Sequence, residues 1–206
     1  MRKLFYLSAL LLASIAMNAE VRTVSLGSDL QAAINGASSG DQVKVQAGTF
    51  TGNFTMKEGV QVSGGWNSDF TAQTDYATIL DANANGRVLD QVKDFTTLTI
   101  WENFTIQNGN LKAIDGSKSL GSGVALFKNG RIVKCLVQNN TYSYSGNCLG
   151  GGLGNDSGAA GDIMADSCII RNNKASHGGG VRIRKMQNAQ GKYDTEYWYY
   201  STLNFE

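Results

Sequence analysis

Between Phe104 and Val181 one short pattern returns three times: Phe104-Thr105-Ile106-Gln107-Asn108, Cys135-Leu136-Val137-Gln138-Asn139 and Cys168-Ile169-Ile170-Arg171-Asn172. Each copy leads on to a glycine cluster and an aliphatic residue, in turn Gly121-Ser122-Gly123-Val124, Gly150-Gly151-Gly152-Leu153 and Gly178-Gly179-Gly180-Val181. The Asn-to-Asn steps are 31 and 33 residues. A self-similar unit of this length marks a stacked architecture, in which one copy has no second face to bury against and copies bury one another.

Within a copy the residues alternate. Phe104, Ile106 and Asn108 take one side and Thr105 and Gln107 the other, and the other two copies follow suit. Period-two alternation is the pattern of a strand with an inner and an outer face. The inward set is then apolar, apolar, Asn, and the expectation is a structural ladder of Asn108, Asn139 and Asn172 whose stacked amides satisfy turn backbone. Cys135 and Cys168 share a repeat position and are expected as stacked, inward-facing neighbours. A buried ladder of small thiols fits that position. A Cys135–Cys168 disulfide is the alternative, although directly opposed parallel strands suit its geometry poorly. The glycines allow the tight or left-handed turn that opens the next strand.

The Ile-X-X-Asn-Asn and Gly-Gly-Gly-Val patterns resemble those of right-handed parallel β-helix proteins, the pectate-lyase-like superfamily. Within it they are most similar to the repeats of polymorphic outer-membrane and surface proteins. The resemblance covers roughly residues 21 to 188 and implies an all-β fold, a right-handed parallel β-helix solenoid with a short N-terminal capping helix. The segment from Leu30-Gln31-Ala32-Ala33-Ile34 to Gly48-Thr49-Phe50 resembles the opening of such proteins, where a helix covers the open end. Ser28 followed by Gln31 reads as a capping box, with Gly36 or Gly40 as the stop. Gly64-Gly65-Trp66 resembles the family's turn after the first full coil, and Asn67 to Tyr76 reads as a loop. Strand returns predict five or six coils.

The chain opens with Arg2-Lys3, an apolar run from Leu4 to Met17, and small residues at Ser14, Ala16 and Ala19. This is the pattern of a secretory signal peptide over residues 1–19; the run is too short for a transmembrane span. The expected product is secreted or held at the cell surface. The solenoid is assigned to residues 20–188 and an aromatic tail to 189–206, either a cap or the next coil of a truncated member of a longer family. Truncation is the preferred expectation, because solenoid ends need polar caps. Loss of residues 1–19 removes Arg2 and Lys3 from 18 cationic residues and none of 17 acidic ones, so the net charge moves from +1 to −1. That balance excludes a nucleic-acid or anionic-membrane partner of the general electrostatic kind.

The densest cationic stretch is Arg171, Lys174, His177, Arg182, Arg184 and Lys185. Arginines on a rigid outer face are suited to pairing carboxylates of an acidic glycan. Ligand binding is therefore assigned to Arg171, Lys174, Arg182, Arg184 and Lys185, against the plainer expectation that these charges only solvate the last coils, where alternation calls for polar residues anyway. If the protein is a polysaccharide lyase, its site falls on Arg171, His177, Arg182 and Arg184, with a base tuned by neighbouring cations. Ser176-His177-Gly178 and Arg182-Ile183-Arg184-Lys185 superficially resemble polygalacturonase motifs. Here the two nearly touch, and the carboxylate pair that glycoside hydrolysis needs is missing. Asp156, Asp162 and Asp166 are candidates for calcium but read better as solvated turn residues. With one His and no Cys-X-X-Cys, no metal site or cofactor is assigned. Trp101, Tyr142, Tyr144 and the cluster from Tyr193 to Tyr200 are read as surface aromatics that could stack on sugar rings or equally pack a loop or cap the end. The resemblance, with no complete catalytic constellation, implies a non-catalytic, adhesin-like protein that presents a rigid face to a polysaccharide or cell-surface component. The alternatives are a lyase acting on an acidic glycan, or a structural spacer.

Overall fold

The structure is a computed structural model and describes residues 19–112, 120–155, 164–183 and the short strand Tyr197–Trp198. The leader read over 1–19 lies outside the described residues except for Ala19, as does the tail read over 189–206 except for that strand. The chain opens with β1 (Val21–Val24) and α1 (Leu30–Gly36), which is the one helix among the described residues. It then passes five times through three sheets in fixed order. The first pass is β2 (Gln42–Gln46), β3 (Gly48–Thr51) and β4 (Phe54–Thr55), and the second is β5 (Gln61–Trp66), β6 (Thr78–Asp81) and β7 (Leu89–Asp90). The third is β8 (Thr99–Glu102), β9 (Phe104–Gln107), a short β10 (Asn110–Leu111) and β11 (Val124–Leu126). The fourth is β12 (Gly130–Val133), β13 (Leu136–Gln138), a short β14 (Thr141–Tyr142) and β15 (Leu153–Asn155). The fifth is β16 (Met164–Asp166), β17 (Ile169–Arg171) and β18 (Val181–Ile183), after which β19 (Tyr197–Trp198) returns antiparallel along β18.

The first sheet is β1-β2-β5-β8-β12-β16, the second β3-β6-β9-β13-β17, and the third β4-β7-β11-β15-β18-β19; β10 and β14 pair with each other. All pairings except β18–β19 are parallel, so each strand bonds to its counterparts one pass before and one pass after. Inward residues consequently stack into columns. In the second sheet the column is Phe50, Leu80, Ile106, Val137 and Ile170, and in the third it is Phe54, Leu89, Val124, Leu153 and Val181. In the first sheet Val43, Val62, Trp101 and Ile132 are aligned. These residues form one buried core, each large side chain contributing about 1.5–3 kcal/mol of burial. Trp101, expected at the surface, is fully buried and packs on Phe104 with ring centroids 5.4 Å apart. Its column dictates this, because its neighbours Val62 and Ile132 are core residues. Gly64-Gly65-Trp66, expected as a turn, ends strand β5, where the register shifts against β2.

The second sheet is bounded by single-residue corners. Asn103, Lys134 and Ser167 precede its strands with φ of 64°, 48° and 53°, and Asn108, Asn139 and Asn172 follow them with φ of 57°, 56° and 53°. The left-handed conformation costs a typical L-residue about 1–2 kcal/mol and costs Asn least. Each such corner also resets the alternation, so that the next residue faces inward. The expected ladder of Asn108, Asn139 and Asn172 is therefore corrected: Asn139 and Asn172 are exposed corner residues, and the inward amides belong to Asn140 and Asn173. Asn140 Nδ2 donates to Asn173 Oδ1 at 2.9 Å and to the Ile106 carbonyl at 3.2 Å, and its Oδ1 accepts from Gly109 N at 2.8 Å. Asn173 Nδ2 donates to the Val137 carbonyl at 3.0 Å. The glycine clusters pack against this ladder. A Cβ on Gly152 would lie 2.6 Å from the Gly180 carbonyl and 2.7 Å from Asn173 Nδ2, and Gly121, Gly150 and Gly178 carry φ of 46°, 78° and 65°.

At the N-terminal end, α1 is capped by Asp29 and not by Ser28. The Asp29 carboxylate accepts from Ala32 N at 2.9 Å, while Ser28 N is engaged by the Ser25 carbonyl in a preceding turn. Gln31 is consequently free of the capping box and faces β4. Its Oε1 accepts from Thr55 N at 2.8 Å and its Nε2 donates to the Thr55 carbonyl at 3.2 Å, so one side-chain amide pairs the edge strand as a peptide group would. Asp41 fastens the start of the chain, accepting from Ser38 N at 2.7 Å and Glu20 N at 2.9 Å beside Arg22.

Two outcomes follow from these contacts. Asn140→Ala strands the Gly109 N–H in the core and is expected to cost about 1–3 kcal/mol in urea unfolding; a loss within 0.5 kcal/mol, roughly the change at an ordinary surface site, would show that the ladder carries no stability. The Ser38 and Glu20 amides, and then Arg22, hold the Asp41 carboxyl below its ordinary value of 3.8. Stability from a lowered carboxyl is present above the unfolded pKa and fades as pH falls through the folded one. Asp41→Asn is thus expected to unfold at lower urea than the parent at neutral pH, with the two midpoints converging below pH 3.8.

Candidate ligand-binding face

The outer side of the second sheet carries two in-register columns. One is Thr49, Ile79, Thr105, Leu136 and Ile169; the other is Thr51, Asp81, Gln107, Gln138 and Arg171. The strands place them there because they alternate with the core column one residue away. The second column is a hydrogen-bonded ladder. Gln107 Nε2 donates to Asp81 Oδ2 at 3.0 Å, Gln138 Nε2 donates to Gln107 Oε1 at 3.1 Å, and Arg171 Nε and Nη2 both donate to Gln138 Oε1, at 3.0 and 2.9 Å. Asn108 Nδ2 adds a bond to Asp81 Oδ2 at 2.8 Å, and Asn83 N donates to Asp81 Oδ1 at 2.7 Å. Partial burial pushes the Asp81 carboxyl up, but the Gln107, Asn83 and Asn108 donors outweigh it and hold it below its ordinary range. In the first column the Thr105 hydroxyl donates to the Tyr76 carbonyl at 2.9 Å, so the loop before β6 overlies that rung. Leu136 is half-buried and Ile169 is 42% exposed.

Arg171 is the one cation of the sequence-assigned cluster on this ladder, and its guanidinium is held by Gln138. Lys174 lies just past the corner, exposed, with its backbone N–H bonded to the Asn140 carbonyl. His177 is half-buried, bridges in parallel to Leu149, and sets Nδ1 3.2 Å from Ser176 Oγ. Arg182 is half-buried in β18 of the third sheet, opposite Gly154 and Trp198. Arg184 and Lys185 lie outside the described residues, as do Asp156 and Asp162. Arg171 and Arg182 thus belong to different sheets. Asp166 is exposed at the end of β16, and among the described residues no group of three His, Cys, Asp or Glu side chains is arranged to hold a metal ion. Tyr142 and Tyr144 meet edge to face at 5.7 Å, and the Tyr144 hydroxyl donates to the Asn147 carbonyl.

The reading of the sequence passed over Asp81, Gln107 and Gln138. The signal was available for two of them: Gln107, Gln138 and Arg171 occupy the same place in the three copies, directly before the corner Asn. Directly before β13 and β17, Cys135 is buried and Cys168 half-buried; both are unbridged, and Cys135 N donates to Cys168 Sγ at 3.4 Å. Burial pushes the Cys135 thiol well up.

No family model, no curated protein and no solved structure matches the chain.

Thiol reactivity depends on thiolate fraction and access. Cys168 is expected to be alkylated first in the folded protein, with Cys135 and Cys148, both buried, reacting only on unfolding. Intact-mass readings before and after denaturation check this, and a deficit of two hydrogens before reduction would reveal a Cys135–Cys168 bridge instead.

Proposed function

We propose that this chain is a right-handed parallel β-helix of the kind found in repeat-bearing surface proteins, exported by its N-terminal leader, and that it binds glycan on the outer face of the second sheet without cleaving it. The observation that carries the proposal is the ladder from Asp81 through Gln107 and Gln138 to Arg171, which aligns planar polar groups at one-strand intervals on the outer side of the sheet, half-buried over its first three rungs and exposed at Arg171. Recognition of sugars by planar amides, carboxylates and guanidinium groups beside an apolar strip follows from their chemistry. Hydroxyls need paired donors and acceptors, and the C–H faces of the rings need apolar cover. The fixed order of the five passes, with parallel pairing from pass to pass, supports the solenoid. The absence of cleavage is proposed because Arg171 is tied into the ladder and Arg182 belongs to another sheet.

The test is retention of the full chain on immobilised polysaccharides, with the same samples assayed for new reducing ends and for the ultraviolet absorbance of unsaturated sugars. Retention on at least one glycan with neither product is expected. A folded sample retained by none of them would overturn binding, and steady product formation would overturn the non-catalytic assignment.

A further inference from the structure

Resting on the glycan-binding proposal, we infer that the occupant of this face is a neutral, linear polysaccharide lying along the direction in which the strands stack, roughly one sugar ring to each rung.

Charge is the first argument. The ladder begins with one carboxylate, Asp81, and ends with one guanidinium, Arg171, and its middle rungs Gln107 and Gln138 are neutral. Both charges are occupied within the ladder. Asp81 accepts from Gln107, Asn108 and Asn83, and Arg171 directs two N–H groups at one amide oxygen. A polyanionic chain spanning the rungs would set its charges against Asp81, and a polycationic one would do so against Arg171. A neutral chain meets no such opposition.

Valence is the second argument. A side-chain amide has two N–H donors. Gln107 and Gln138 each use one along the ladder, toward Asp81 and Gln107 respectively. Among the described residues, one N–H on each of the two middle rungs, Gln107 and Gln138, is left for a ligand hydroxyl.

Spacing and polarity supply the third. Neighbouring parallel strands are about 4.8 Å apart, close to the length of one pyranose ring in an extended chain. Beside the ladder, the open part of the apolar column is Leu136 and Ile169, the latter 42% exposed. A sugar chain along this line would lay C–H ring faces on those two side chains and turn hydroxyl edges to Gln107, Gln138 and Arg171. The rungs from Asp81 to Arg171 cover about 14 Å at that spacing, or about four rings.

The experiment is calorimetric titration of the full chain with β-1,4-linked glucose oligosaccharides of about two to eight rings and, separately, with galacturonate oligosaccharides of the same lengths, at about 0.05 and about 0.5 M salt. The glucose series is expected to bind at least about tenfold more tightly, to be insensitive to salt, and to gain affinity up to about four or five rings and then level off. Ile169→Ala removes an exposed side chain and Gln138→Ala one rung; each is expected to weaken binding about tenfold with the unfolding transition still cooperative. Tighter, salt-weakened binding of the uronates would overturn this inference and leave glycan binding standing. Binding of neither series by a folded sample would overturn it too, and retention on any other polysaccharide would then decide the broader proposal separately. Neutral-sugar binding untouched by both substitutions would place the ligand elsewhere and overturn it as well.

Discussion

A left-handed residue at each end of the second sheet's strands in the last three passes is the constraint on which the remaining geometry depends. The corner must reverse the φ of one residue without lengthening the connection, because the next strand has to begin in register with its counterpart one pass away. Asn103, Asn108, Asn139 and Asn172 do this with the side chain that tolerates the conformation best, whereas Lys134 and Ser167 do it against their intrinsic preference. Such strain persists only where the surroundings over-determine it. Lys134 N is bonded to the Asp166 carbonyl of the following pass at 2.9 Å, so the stack holds the corner as much as the corner shapes the stack.

Stacking creates an end as well as a middle, and the N-terminal end is closed in two ways. Helix α1 lays Leu30 and Ile34 on the core. Gln31 then meets both backbone groups of Thr55, which a preceding strand would otherwise have paired. Had Ser28 capped the helix as the sequence pattern invites, Gln31 would have been drawn back to the helix start and the edge of β4 left open. The shift of the cap by one residue to Asp29 resolves a competition between a local motif worth about 1 kcal/mol and the pairing of an exposed strand edge.

What could be read from the sequence and what could not divide along the same line. The repeat of Phe104–Asn108, Cys135–Asn139 and Cys168–Asn172 reports which residues are equivalent, and equivalence is enough to foresee parallel strands in register, the inward Ile106, Val137 and Ile170, and the left-handed glycines. It does not report phase. Simple alternation runs straight through Asn108, Asn139 and Asn172 as though the strand continued, but one left-handed residue inverts the sides, and the ladder falls to Asn140 and Asn173. Trp101 failed for a related reason: it sits before the first clear copy, where no repeat fixed its register. The cationic cluster was compact in sequence because a turn is compact in sequence. Sheet order separates it, with Arg171 on one sheet and Arg182 on the next.

The two amide ladders differ in a way that separates scaffold from surface. Asn140 spends everything it has: both N–H groups donate, to Asn173 and to the Ile106 carbonyl, and its oxygen accepts from Gly109, all in a fully buried setting. Buried amides must close their valences in this manner, since each one left open costs about 1–3 kcal/mol. Gln107 and Gln138, on the other side of the same strands, close only what the ladder asks and keep a donor each. On a solvated face that remainder carries no penalty, because water accepts it. It also requires no rearrangement when another acceptor replaces the water. The ladder fixes each amide by its neighbours above and below, so the side-chain entropy of aligning the row is already spent before a ligand arrives. A row of donors held in this way favours a partner that repeats at the same interval over one that makes a single strong contact, and the neutral middle rungs favour a partner without charge.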